Sequence, residues 1–228
     1  MIIYKKITEG IKMKKCLNSV EGLIGIYFTG SIVLGDYHEG KSDIDCTVIL
    51  QSPIDIKKIS KRFDCQYITY ENIGKGNEVM WYTLKKYGVT VTGTPIDELN
   101  IPTTIYDVKS YVKTNVNTYW KNWFDSLRKP SIKRLKGLTD WSIEWCVCGI
   151  TRMYYTLMED DIASKRKVAE YGLTCLPESY RKILREALRI RVGGRKKQYR
   201  SRFVRRKDMI DYMEFMIGLI NRLPCGIQ

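Results

Sequence analysis

Residues 25–50 read GIYFTGSIVLGDYHEGKSDIDCTVIL: an apolar run, a glycine turn, and a second apolar run opened by two aspartates. Leu23 to Phe28 has the composition of a short strand that stops at Thr29-Gly30-Ser31. Gly30 permits a tight turn and a close approach of backbone N–H groups to a ligand. Ser31 adds a hydroxyl where a helix-like turn begins, a setting that favours phosphate. Eleven residues later, Asp43 to Leu50 alternates. Asp43, Asp45, Thr47 and Ile49 face one way and Ile44, Cys46, Val48 and Leu50 the other, as in a half-buried strand. The period of two puts both carboxylates on one face, where they can grip hard cations. Two metals roughly 3.5–4 Å apart can clamp the attacking and leaving oxygens of a phosphoryl-type displacement. Alone, the Gly-Ser turn reads as an ordinary turn and the Asp-x-Asp as a solvated strand edge. Their order and spacing together point to phosphoryl chemistry.

The rest of the first hundred residues alternates helical and strand patterns. The spacing predicts helices over 3–18, 53–62 and 77–87, and strands over 64–70 and 89–91. After Pro102 the pattern is purely helical. Thr104 with Asp107 resembles a capping arrangement, and the helix it opens closes at Pro130. Thr139 and Ser164 are candidate caps for two more helices, Pro177 opens another that stops before Gly193-Gly194, and a last one runs from about Met209 to Leu223. The expected architecture is α+β, with a mixed-sheet domain over 1–102 followed by an all-α bundle over 103–228.

Composition narrows the class. The 228 residues are 44% hydrophobic and 28% charged, enough for an ordinary globular core. No apolar run reaches membrane-spanning length and no signal-peptide pattern opens the sequence, so a soluble cytoplasmic protein is expected. Seven cysteines without framework spacing fit a reducing compartment, and the single histidine, His38, excludes His-rich zinc sites and argues against a Ser-His-Asp triad. Net charge is +14, which taken globally suggests a polyanionic partner. Between Arg181 and Lys207, however, thirteen lysines and arginines stand against one acid, Glu186, so nearly all of the excess lies in one segment.

The Gly30-Ser31, spacer, Asp43-x-Asp45 pattern resembles the nucleotidyltransferase superfamily with the polymerase-β-like fold. In the second half, Gly149 to Thr156 around Arg152, Ile162-Ala163-Ser164-Lys165, Ala169-Glu170-Tyr171, Leu176-Pro177 and Glu186-Ala187-Leu188 look like the helical domain of bacterial aminoglycoside adenylyltransferases of the streptomycin/spectinomycin type. The resemblance spans roughly residues 20–192. It implies transfer of AMP from Mg-ATP to a hydroxyl of an aminocyclitol drug, with release of pyrophosphate, and antibiotic resistance as the outcome.

By matched position the resemblance gives Gly30 and Ser31 to the triphosphate, Asp43 and Asp45 to magnesium, and Asp64 on the next core strand to the third carboxylate, which takes the proton of the attacking hydroxyl. Glu71 and Glu78 are alternatives for Asp64. Lys165 falls where the family sets a lysine against the phosphates, and Arg191 where close relatives carry a tyrosine near ATP. Asp140, Glu144, Cys148 and Arg152 share one helix face, which reads either as an internal ion-pair network or as a wall that accepts hydrogen bonds from a cationic drug. Trp120, among four clustered tryptophans, and Glu170 are further drug-binding candidates. The segment after the third-carboxylate strand lacks the family's tryptophan-bearing insertion. Two alternatives remain open: transfer to tRNA, a protein or another antibiotic class, and a nucleic-acid-binding module with a vestigial transferase half. The basic segment motivates both.

Overall fold

The computed structural model describes residues 20–53, 64–129 and 132–224, with the side chains of Asp64 and of residues 132–134 outside the description. The helices expected over 3–18 and 53–62 lie outside the described residues. The chain divides into two compact units, Met1–Thr104 and Ile105–Gln228. The first is a small mixed sheet with helices and the second is helical, an α+β architecture.

In the first unit, strands β1 (Leu23–Phe28), β2 (Asp45–Leu50), β3 (Asp64–Thr69) and β4 (Val89–Gly93) form a sheet of order β3-β2-β1-β4. β1 is antiparallel to β2 and β4, while β2 and β3 are parallel. β2 was expected to be half-buried, but it is an inner strand covered on both faces. Cys46, Val48 and Leu50 pack with Ile26, Phe28 and Ile32 on one side, and Ile49 packs with Tyr27, Trp81 and Leu84 on the other. Helix α1 (Glu78–Tyr87) supplies those last two residues at i, i+3, and its first turn is capped by Asn77, which accepts from the Met80 N–H at 3.0 Å. The strand also starts two residues later than expected, leaving Asp43 exposed in the preceding coil. Cys46 and Cys65, partners in the parallel register with Cα atoms 4.6 Å apart, are joined by a disulfide. This departs from the expectation of free thiols, because only strand pairing brings together two cysteines 19 residues apart.

The second unit comprises α2 (Ile105–Asn115), α3 (Lys121–Arg128), α4 (Asp140–Glu159), α5 (Lys165–Cys175), α6 (Arg181–Val192) and α7 (Arg202–Arg222), with a π-helical turn, Val116–Trp120, joining α2 to α3. Thr139, Ser164 and Ser201 each accept a backbone N–H three residues on, which fixes the starts of α4, α5 and α7. α7 therefore begins at Arg202, seven residues before the expected Met209, and the basic run 202–207 is helical. α4 is the central helix, packed against α2, α5, α6 and α7. Its Ile143, Val147, Ile150 and Tyr154 are buried, and its Thr151 hydroxyl meets the buried Tyr212 hydroxyl of α7 at 2.6 Å. Burial pushes the thiols of Cys146 and Cys148 up to about 12, so both act as small core residues rather than nucleophiles. Lys113 donates to the carbonyls of Ile220 and Leu223 at 2.5 and 2.7 Å, closing the end of α7.

Gly149 admits the Trp120 indole to the side of α4: a Cβ there would lie 2.2 Å from the ring. Gly149→Val is expected to cost about 1–3 kcal/mol by overpacking. Thermal denaturation checks this, and an unchanged Tm would remove Trp120 from that interface.

Candidate active site

In the first unit the site is built where β1 ends. The Thr29 N–H donates to the Asp45 carbonyl at 3.1 Å, pinning the turn to the first residue of β2. Gly30 follows at φ +64°, in the left-handed region. A Cβ on Gly30 would stand 1.9 Å from Asp45 Oδ2, so the carboxylate lies directly against the glycine backbone, and no other residue type fits. Gly30 and Asp45 are thus brought together. Ser31 is half-buried in the single helical turn Gly30–Val33, and its carbonyl accepts from the Asp36 N–H at 3.0 Å. Asp43 stands exposed two residues before Asp45. The β2–β3 register sets Asp64 opposite Asp45 as the first residue of its strand.

The Asp45 carboxylate beside a turn without a Cβ, with Asp43 two residues before it in sequence, is a donor set suited to magnesium, a hard cation that takes one or two carboxylates together with phosphate oxygens. Among the described residues no cluster of three or more His, Cys, Asp or Glu side chains that could hold a metal forms. The Asp64 carboxylate lies outside that description. Of its alternatives, Glu71 is exposed after β3, and Glu78 is half-buried in the first turn of α1.

In the second unit, Glu144, Lys165 and Arg191 converge. Glu144 Oε1 accepts from Lys165 Nζ at 2.9 Å and lies 3.5 Å from an Arg191 terminal nitrogen. Lys165 stands 5.3 Å over the Trp145 ring, which stacks on Trp141 with centroids 5.3 Å apart. Trp141 is 56% exposed, whereas Trp120 is 4% exposed and lies in the core. The indole Nε1 of Trp145 is buried without a hydrogen-bond partner. Glu170 sits apart on α5 in an exposed pair with Arg166 at 2.9 Å.

Asp140, one turn before Glu144, belongs to a separate network. Arg205 reaches Asp140 at 2.6 Å and Glu186 at 3.1 Å, while Arg189 reaches Glu186 at 2.9 Å and Asp140 at 3.6 Å. Burial raises the Asp140 carboxyl, but hydrogen bonds and charge from Arg205 and Arg189 outweigh it and hold the group below the usual aspartate value. The shared helix face of Asp140 and Glu144 is legible from sequence, but Arg189, Arg205 and Glu186 as the surroundings of Asp140 are not. The dense basic run around one glutamate was the available signal.

Comparison with known proteins matches residues 11–86 to the nucleotidyltransferase domain and residues 121–216 to the aminoglycoside adenylyltransferase C-terminal domain. Among solved structures, the spectinomycin adenyltransferase AAD(9) from Enterococcus faecialis, determined with ATP and spectinomycin, shares the fold. Its TM-score is 0.70 over 94% of this chain and 99% of that one, at 16% identity. No curated protein matches the sequence.

Proposed function

Since the chain belongs to the aminoglycoside adenylyltransferase family of nucleotidyltransferases, we propose that it transfers AMP from Mg-ATP to a hydroxyl of an aminocyclitol antibiotic and releases pyrophosphate. The observation that carries this reading is the contact of the Asp45 carboxylate with the Gly30 turn, which sets a metal-binding oxygen beside phosphate-binding amides.

Asp43 and Asp45 would hold magnesium, which when bound would neutralise charge on the triphosphate and the departing pyrophosphate. Gly30 offers its backbone N–H and Ser31 its hydroxyl to phosphate oxygens. Within the second unit, Lys165 and Arg191 are cationic hydrogen-bond donors of the kind that phosphate oxygens take. Asp64 takes the proton of the acceptor hydroxyl. The acceptor oxygen bonds to the α-phosphorus as the α–β bridging bond breaks, and pyrophosphate leaves. The stacked pair Trp141–Trp145 offers a flat apolar wall to the acceptor ring.

Spectinomycin, which the AAD(9) structure contains, heads the acceptor panel. Incubation with α-labelled ATP, magnesium and separately spectinomycin, streptomycin, a lincosamide or bulk tRNA is expected to label the aminocyclitol. Labelling of tRNA alone would overturn the acceptor assignment. Trp141→Ala is expected to raise KM for the acceptor about two- to tenfold, the loss of one aromatic contact of about 0.5–1.5 kcal/mol, with kcat little changed. An unchanged KM would remove the indole from the acceptor site. A different acceptor within the same chemistry is favoured by one observation: Glu144 and Asp140 are both already engaged by basic side chains, which leaves little free acidic surface for a polycation.

A further inference from the structure

The basic segment resolves into two groups of cations. Arg189, Arg191 and Arg205 are tied into the carboxylate networks, Arg181 pairs with Glu178, Lys207 pairs with Asp211, Arg206 donates to the Leu127 carbonyl, and Lys182 stands over the Tyr199 ring. By contrast, Arg185, Arg195, Lys196, Lys197, Arg200 and Arg202 are exposed and make no ion pair among the described residues, and Lys197, Arg200 and Arg202 lie closest in sequence to the start of α7. These last three, with Arg205, line a cavity of about 420 Å³.

Thr139 and Ser201, the N-caps of the 20-residue α4 and the 21-residue α7, line the same cavity, so the positive ends of two long helices border it. Arg205 is 4% exposed, and its terminal nitrogens serve Asp140, Glu186 and the Leu138 carbonyl. Its Nε, also buried, has no hydrogen-bond partner. The only carboxylate in the lining, Asp140, is already held by Arg205 and Arg189.

We propose that this cavity is a binding site for a small oligophosphate anion of the pyrophosphate class. Three unpaired cations match the several charges of a diphosphate, and the volume exceeds what one phosphate group fills. Apart from Asp140, a drug-wall candidate by sequence, the site uses none of the residues assigned to adenylyl transfer, so its cations can be tested apart from that reading. An RNA backbone presents the same phosphate chemistry, but the concave lining favours a compact free anion over an extended strand.

The test is calorimetric titration of inorganic pyrophosphate into the full chain without divalent cations. It compares the wild type, Asp45→Asn and the triple variant Lys197→Ala/Arg200→Ala/Arg202→Ala. Saturable one-to-one binding is expected to survive Asp45→Asn and to weaken at least about tenfold in the triple variant, the loss of one charge-assisted hydrogen bond. The three side chains are exposed, so the triple variant is expected to keep its Tm and its transfer activity. Absence of saturable pyrophosphate binding would overturn the proposal, as would binding of wild-type strength in the triple variant. In a parallel arm, salt-sensitive RNA retention lost in the triple variant, without pyrophosphate binding, would assign the cations to a nucleic-acid backbone and equally overturn it.

Discussion

Asp45→Asn is expected to lower adenylyl transfer about a thousandfold, the rate equivalent of the several kcal/mol that a bound metal ion contributes to transition-state charge stabilisation. Asparagine keeps the shape of the side chain and removes its charge. The structural duty of residue 45 is carried by its backbone carbonyl, which accepts from the Thr29 N–H, and asparagine retains that carbonyl. Folding should therefore survive while turnover does not. Release of labelled pyrophosphate, measured beside a melting curve, separates the two. Near-wild-type turnover in a folded variant would remove Asp45 from the metal site. Gly30→Ala should reach the same end by another route, since its Cβ would displace the Asp45 carboxylate and its φ of +64° strains any side chain.

Glu186→Ala is expected to destabilise the second unit by about 3–5 kcal/mol, the cost of removing one partner from a buried ion-pair network. Glu186 is fully buried and receives Arg189, Arg205 and the Gln198 backbone N–H, at 2.9, 3.1 and 2.9 Å. Its loss leaves guanidinium groups on α6 and α7 facing each other without their shared anion. A Tm within a degree or two of wild type would show that the network holds nothing together.

The same network dictates an acid response. Burial raises the Glu186 carboxyl, but hydrogen bonds from Arg189, the Gln198 N–H and Arg205 more than offset this and hold it below the ordinary value. A carboxyl whose folded-state value is depressed contributes its full stability above the unfolded value, about pH 4.3 for glutamate, and loses it as the pH falls through the folded value. Asp140 shifts in the same direction but is half exposed, so solvent screening reduces its share. Wild-type stability should fall below about pH 4.3, and a Glu186→Gln variant should show a shallower decline.

How much was legible from residues alone depended on sequence distance. Gly30, Ser31, Asp43 and Asp45 lie within sixteen residues, and a strand, a turn and a strand leave that segment few ways to fold. Helix starts at Asn77, Thr139 and Ser164 were equally readable, because a cap bonds an amide only three residues away. Ser201 carried the same signal, but the apolar pattern begins only at about Met209, and α7 starts seven residues before it. The charge total misled more deeply. Most of the cations around Glu186 proved to be internal partners, leaving the free excess on the stretch that includes Lys197, Arg200 and Arg202.

The order of residues therefore determined the superfamily pattern, the alternation of elements and most helix ends, all of which follow from backbone preferences acting over a few positions. Tertiary structure decided what those preferences cannot reach. Asp140 meets Arg205 across 65 residues, Glu144 meets Arg191 across 47, and Cys46 meets Cys65 through strand register. It also decided that Trp120 is core while Trp141 is surface. Charge partners and burial are set by how helices and strands pack, and packing energy depends on contacts between segments that no local spacing encodes.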